Sequence, residues 1–231
     1  ENWSATAEWY AGEASMFFAA AFNIEIAEFT ESGTIYLDEA DADGIVRGTG
    51  DPNDPNDNEG HPFSVQLQSE GGDVSGYEIG SRVAFSDFLG EDSIFANVGF
   101  DLNYTYTDSS QETKQVSTGK DLPFTGMSKD TYNAVVWYEN ETFSARLAWN
   151  SRSPRLVTGN ISSAGGQSLF QDDYEQLDFN ATYNYDENIS FYLNGANITE
   201  EYQQTYVEFS KQKAFQNIYE ARWTLGARIT F

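Results

Sequence analysis

The thirteen residues Tyr219–Phe231 read YEARWTLGARITF, and they alternate without a break. One set is Tyr219, Ala221, Trp223, Leu225, Ala227, Ile229 and Phe231; the other is Glu220, Arg222, Thr224, Gly226, Arg228 and Thr230. Successive side chains of a β-strand point to opposite faces. One face of this strand is therefore wholly apolar and the other polar or small. A strand so divided lies between an apolar medium and a polar one.

The pattern recurs upstream. Leu177, Phe179, Ala181, Tyr183 and Tyr185 oppose Gln176, Asp178, Asn180, Thr182 and Asn184. Phe143, Ala145, Leu147 and Trp149 oppose Ser144, Arg146, Ala148 and Asn150. Ile94 to Tyr106 alternates likewise against a set that includes Asp101 and Asn103, and Trp3, Ala5, Ala7 and Trp9 oppose Ser4, Thr6 and Glu8. In the next strand Met16, Phe18, Ala20, Phe22, Ile24 and Ile26 form the apolar set, against a small-to-polar set ending in Asn23 and Glu25. Shorter alternating runs cover 74–85, 132–138 and 189–197. The pattern predicts about nine strands of roughly 8–14 residues, against the roughly 9–11 that a tilted membrane strand needs and the five or six usual in soluble proteins.

The connections sort by length. Short ones are Ala11–Ala14, Ser86–Asp92, Glu139–Glu141 and Asp186–Asn188; long ones are Thr30–Pro62, Asp108–Lys129, Ser151–Asp173 and Glu200–Ile218. Short and long strictly alternate, as the periplasmic turns and external loops of outer-membrane barrels do. Counted back from Phe231, every long connection falls at the same end. Trp and Tyr gather near strand ends, as interfacial girdles require.

Composition agrees. Aromatics are 16% of 231 residues while mean hydropathy is −0.55, and no apolar run approaches the roughly 18 residues of a membrane helix. There is no Cys, which excludes a disulfide-held scaffold. With 37 Asp+Glu against 12 Lys+Arg the net charge is −25, which excludes a nucleic-acid surface. The single His (His61) has no Cys and no base–nucleophile spacing around it, so no catalytic constellation is present.

Several segments carry a more specific likeness. GMSKDTYNAVVWYENETFSARLAWNSR (Gly126–Arg152), DYEQLDFNATYNYDENISFYLNGANITEEYQ (Asp173–Gln203), VSGYEIGSRVAF (Val74–Phe85), FDLNYTYTDS (Phe100–Ser109) and the ending LGARITF follow one another in this order. Together they resemble the barrel strands of TonB-dependent outer-membrane receptors. The resemblance implies an all-β, antiparallel transmembrane β-barrel of the 22-strand type with a plugged lumen. Residues 1–231 would form its C-terminal part as one domain. It also implies partners: the remaining N-terminal strands and plug domain, the TonB complex acting through that plug, outer-membrane lipid, and a small-molecule nutrient. The expected location is the bacterial outer membrane. No plug or TonB box is found here, and an open sheet of this size would leave two edges that a bilayer does not tolerate. The chain begins at Glu1-Asn2-Trp3, inside a strand, without a signal peptide; the missing strands are expected on another chain, or removed by cleavage.

Three groups of residues are candidate sites. Glu78, Arg82, Asp101, Asn103, Arg146, Asn150, Asp178, Asn180, Arg222 and Arg228 are expected to face the lumen, with the four arginines meeting the plug. Tyr36, Phe124, Phe170, Tyr202, Tyr206 and Phe209 lie in the long connections, where a substrate would first arrive. The stretch DEADADGIVRGTGDPNDPNDNE (Asp38–Glu59) places Glu39, Asp41 and Asp43 at alternate positions before Gly44, in the manner of a calcium loop. Its twelfth position is Gly50 rather than Glu, a departure from that loop; Asp51, Asp54 and Asp57 add carboxylates. The functional expectation is nutrient uptake, of carbohydrate or another organic nutrient rather than a siderophore. A structural or adhesive barrel without transport, and a soluble carbohydrate-binding β-sandwich, are the alternatives.

Overall fold

The structure is a computed structural model that describes residues 2–37, 61–90, 93–161 and 165–230. Its strands are β1 (Trp3–Tyr10), β2 (Met16–Leu37), β3 (His61–Ala84), β4 (Val98–Lys114), β5 (Asp121–Leu122), β6 (Asp130–Glu139), β7 (Phe143–Arg152), β8 (Arg155–Ile161), β9 (Gln167–Gln171), β10 (Tyr174–Asn184), β11 (Ile189–Ala196), β12 (Gln203–Val207), β13 (Lys213–Asn217) and β14 (Arg222–Ile229). The one helical element among the described residues is a 3₁₀ turn, Phe85–Asp87.

Among the described residues the strands form two sheets. The larger has ten strands in the order β1-β2-β3-β4-β6-β7-β10-β11-β14, with β5 added beside β4; the smaller has four, β13-β12-β9-β8. Neighbours in the larger sheet follow one another in sequence as an antiparallel meander, interrupted only where the chain leaves to build the smaller sheet. Two compact units are distinguished: Glu1–Glu25 with Asp73–Phe231, and Ile26–Gly72. The second holds the far part of β2 and the start of β3. There Gly71 packs so closely on the Ile26 and Ala27 carbonyls that a Cβ would not fit, and Gln68 donates to Glu28.

Register fixes the faces, because residues directly opposite in an antiparallel pair share a side of the sheet. Leu225 faces Leu193, which faces Ala181, which faces Ala145, which faces Tyr138. One side carries Trp223, Leu225, Phe191, Leu147, Val136 and Leu102, all well exposed. Among the described residues no second layer covers it. An apolar sheet face this broad with nothing packed on it is suited to lipid rather than water.

Aromatic rings band that side. Tyr106 stacks on Tyr77 (5.3 Å), Tyr77 meets Tyr104 edge-on (6.0 Å), Tyr104 stacks on Tyr132 (4.7 Å) and Tyr132 leans on Trp149 (6.3 Å). Lys129 caps the band over Tyr106 (5.2 Å) and pairs with Asp108 at 3.5 Å. At the short-turn ends Trp9 stacks on Phe17 (5.3 Å) and Tyr138 tilts against Phe143 (6.0 Å).

Several sequence expectations need correction. The Trp9–Phe17, Ala7–Ala19 and Ala5–Ala21 pairs put Phe17, Ala19 and Ala21 on the apolar side, while Phe18, Ala20 and Phe22 face Glu8, Thr6 and Ser4. The run MFFAAAF is apolar on both faces, so its own alternation could not set its phase. Ile94 and Ala96 belong to the turns before β4, not to the strand. The long connections are not loops throughout. Strands β2, β3 and β4 run on into them, β5 lies within the second, and the last two build the smaller sheet.

Candidate functional site

The ten residues expected in the lumen share the polar side of the larger sheet. Asn103 bonds Glu78, and the Arg82 guanidinium sits 3.8 Å from Asp101, which ties β3 to β4 on that side. Asn133 donates to Asn103 at 3.5 Å and lies opposite Asn150, which in turn lies opposite Gln176. Arg146 is flanked by Trp137 and Asn180, and Asn180 bonds Asn194. Gln176 donates to both Asp178 oxygens (2.8 and 2.9 Å). Arg222 and Arg228 extend the face onto β14, where both are exposed. The result is a ladder of amides with four separated guanidinium groups, able to hydrogen-bond a polar surface laid along it.

At the long-connection end of this face lies an open cleft of about 960 Å³, lined among others by Tyr174, Gln176, Asn197, Gln203, Tyr219 and Arg222. Asn197 organises its wall. It is buried, with φ +52°, a left-handed conformation that Asn tolerates better than most residues. Its N–H donates to Asp178 (2.8 Å), its Oδ1 accepts from the Glu201 N–H (2.9 Å), and its Nδ2 donates to the carbonyls of Glu201 (2.9 Å) and Tyr219 (3.2 Å). Arg152 lies over the Tyr174 ring at 5.5 Å. The rim is acidic: burial, then its neighbour Asp172, pushes the Asp173 carboxyl up, and burial, then Glu175 and Asp173, does the same to Glu201. Burial would raise Asp172 as well, but the Lys213 ammonium bonded to it brings it below the usual range.

The smaller sheet rises from the same end and is locked by Glu208. This residue is buried at φ +58° in the β12–β13 turn. Its Oε1 accepts the Ser168 N–H (2.8 Å) and its Oε2 accepts the Ser117 hydroxyl. Its own N–H donates to the Ser168 carbonyl (2.9 Å), and Gln115 reaches its carbonyl at 3.5 Å. Three connections that are far apart in sequence are joined by one carboxylate. Burial raises its pKa, but these donors, Ser117 first, outweigh burial and hold it below the usual carboxylate value. Glu208 did not stand out in the sequence, where it falls in the connection 200–218; Asn197 closes the alternating run 189–197, but the sequence does not show the bonds it makes.

The aromatic candidates divide. Phe170 (β9) stacks on Tyr206 (β12) at 5.4 Å, and Tyr206 is buried, so this pair holds the smaller sheet together. Tyr202 and Phe209 are exposed at the rim. Phe124 follows β5, its N–H on the Ser109 hydroxyl (3.2 Å), and Tyr36 falls within β2 rather than in a loop. Glu39, Asp41, Asp43, Asp51, Asp54 and Asp57 lie outside the described residues. Among the described residues no group of three or more His, Asp and Glu side chains could hold a metal.

A family model described as TonB-dependent receptor-like, β-barrel, matches residues 1–198. The chain belongs to the TonB-dependent receptor β-barrel family. Its members are outer-membrane transporters rather than enzymes, and the soluble-sandwich alternative falls with this match. Two solved structures, both mutants of the ferric enterobactin receptor PfeA from Pseudomonas aeruginosa, share the fold. Each superposes with a TM-score of 0.60 over 98% of this chain, at 14% and 12% identity. This chain spans 30% of the length of either receptor. No curated protein sequence matches it.

Proposed function

We propose that this chain is the C-terminal part of the barrel wall of an outer-membrane receptor that imports a nutrient with energy delivered by a TonB complex. The observation that carries the reading is the division of the larger sheet into a bare apolar face and a hydrogen-bonded polar face. The apolar face meets lipid. The polar face lines the lumen, where Glu78, Arg82, Asp101, Asn103, Arg146, Asn150, Asp178, Asn180, Arg222 and Arg228 meet a plug domain; β1 and β14 are completed by the remaining barrel strands. The long-connection end is extracellular, and the cleft walled by Asn197 is where a ligand is first held.

The chemistry of that cleft suits a polyhydroxylated organic nutrient. Gln176 and Gln203 offer donors and acceptors, Tyr174 and Tyr219 offer ring faces, and Arg222 adds one charge. The acidic rim, with Asp173 and Glu201 beside the cleft, disfavours a strongly anionic ferric chelate. The acidic stretch Glu39–Asp57 is proposed as a calcium-binding segment of an external loop; calorimetric titration of the intact receptor with calcium tests it, and no binding below millimolar concentration rejects it.

The function is tested by uptake. Cells producing the full receptor should accumulate radiolabelled oligosaccharide only when TonB is present, and Gln176→Ala with Gln203→Ala should reduce surface binding. Accumulation independent of TonB would reject energised transport.

A further inference from the structure

The apolar face of the larger sheet is not evenly filled. An open groove of about 530 Å³ interrupts it across β2, β3, β4, β6 and β7. Leu102, Ala134 and Trp149 lie in one row over three strands, and Tyr104 lies opposite Tyr132 two residues further on. All are on the apolar side by register. Ile79 and Ser81 join them from β3, alternating with Glu78, Gly80 and Arg82 of the polar side. The groove exists because Ser81 and Ala134 are small. Gly80, Asn103 and Asn133 also line it, although their side of the sheet is the polar one, so they reach it through their backbone. The sheet itself is the floor.

The two ends of the groove differ. Toward the long connections the Tyr104–Tyr132 stack, with Trp149 beside it, walls it off. Toward the short turns it reaches Phe17, which stacks on Trp9 at the rim. Beyond that end the apolar surface continues onto a turn. Phe85, the first residue after β3, meets Phe100 of β4 edge-on at 6.0 Å. The connection 85–97 then carries Phe88, Leu89, Ile94 and Phe95, all exposed. It is longer than the connections 11–15, 140–142 and 185–188 at the same end. Large apolar side chains gathered on a surface turn mark a contact. The charges around them have one sign. The connections 11–15, 85–97 and 140–142 contain no Lys or Arg, whereas Glu13, Glu139 and Glu141 are exposed beside them.

We propose that groove and turn together hold one phospholipid of the inner leaflet, with an acyl chain in the groove and an ammonium-bearing headgroup, of the phosphatidylethanolamine type, over the turn carboxylates. The chain enters from the open, short-turn end and stops at the aromatic wall. Within a bilayer the hydrophobic effect does not favour one chain over another, so fit decides: a chain in the groove touches floor and sides, where a chain on flat wall touches one surface. The carboxylates attract an ammonium and repel a headgroup of net negative charge. This rests on the reading of the apolar face as lipid-facing and of the short-turn end as periplasmic.

Native mass spectrometry of the full receptor tests it. The receptor is stripped of lipid in detergent and titrated in turn with phosphatidylethanolamine, phosphatidylglycerol and an outer-leaflet glycolipid. Wild type is expected to keep one phosphatidylethanolamine, bound several-fold more tightly than phosphatidylglycerol. Ala134→Trp fills the groove and should lower that retention several-fold; Leu225→Trp, on the same face at β14, should not. Glu13→Gln with Glu139→Gln should narrow the preference between the two phospholipids. No retained lipid in wild type, equal retention in Ala134→Trp, an unchanged preference in the double variant, or tighter retention of phosphatidylglycerol or the glycolipid would each overturn the site. Photo-cross-linking in cells needs no groove-filling variant. Benzoylphenylalanine at the turn, as Phe95→Bpa, should yield a phosphatidylethanolamine adduct; a protein adduct alone would overturn the turn's part in the site. Leu225→Bpa reads the wall by itself. Lipid adducts there without a retained phospholipid would overturn the site and leave the wall standing, and their absence would overturn the wall.

Discussion

Replacing Glu208 with alanine should open the smaller sheet without touching the larger one. The carboxylate accepts a backbone N–H from Ser168 at 2.8 Å and a hydroxyl from Ser117, and it joins the 115–120 turn to β9 and to the β12–β13 turn. The substitution leaves the left-handed backbone at φ +58° in place, since Ala is strained there much as Glu is. What is lost is two hydrogen bonds to a charged acceptor, and the Ser168 N–H is left buried without a partner. Each such bond contributes about 1.5–3 kcal/mol, and allowing for water entry the local opening free energy should fall by about 2–4 kcal/mol, or roughly 30- to 700-fold in opening equilibrium. The assay is hydrogen exchange read by mass spectrometry on the receptor in detergent. Peptides covering 155–171, 115–122 and 203–217 should exchange faster by that factor, and peptides from β6, β7 and β10 should not change. The same clasp is acid-sensitive with a definite sign. The folded pKa lies below the unfolded one, so its stabilisation is complete above the ordinary glutamate value and is lost as pH falls through the folded pKa. The difference between wild type and Glu208→Ala should therefore shrink only in acid. Equal exchange in both proteins at neutral pH, or a gap that narrows as pH rises, would refute the clasp.

Asn197→Ala removes three side-chain hydrogen bonds at a buried, left-handed position, and should destabilise the receptor by about 2–4 kcal/mol in urea unfolding, with Asn197→Asp recovering only the bond from the Glu201 N–H. Asp87 joins two neighbouring short turns, accepting the N–H groups of Glu13 and Ala14 at 3.1 Å each; the Ser15 hydroxyl, then those backbone donors, hold its carboxyl below the usual range. Asp87→Asn should raise exchange at residues 11–15 near neutral pH, and the difference from wild type should disappear as pH falls through the folded pKa. Val136→Arg puts a charge on the lipid side and should cost about 2–4 kcal/mol of folding into bilayers, whereas Val135→Arg, one residue away on the polar side, should cost far less; refolding yields into vesicles compare the two.

Much of the wall was legible because both of its environments write on the sequence. In β7, β10 and β14 the alternation is strict, and register agrees with it residue by residue. It failed at β2, where Phe17 and Phe18 are equally apolar; only the pairing with β1 shows which of them faces Glu8. The smaller sheet was missed for a different reason. β12 (QQTYV) and β13 (KAFQN) are short and amide-rich, and they bury little but Thr205 and Tyr206, so neither length nor hydrophobicity announces them. The ten polar-face residues were readable as a set from period alone. Asn197 and Glu208 were not, because their importance comes from partners up to 93 residues away.

The central claim is that the larger sheet is a membrane wall with lipid on one side only. The chain has no Cys, so single-cysteine nitroxide scanning along Tyr132–Tyr138 of β6 measures it directly in the receptor reconstituted in bilayers. Collision with dissolved oxygen should be high at 132, 134, 136 and 138 and low at 133, 135 and 137, whether water or plug covers the latter. Oxygen accessibility without a period of two, or with the odd positions in lipid, would contradict the account.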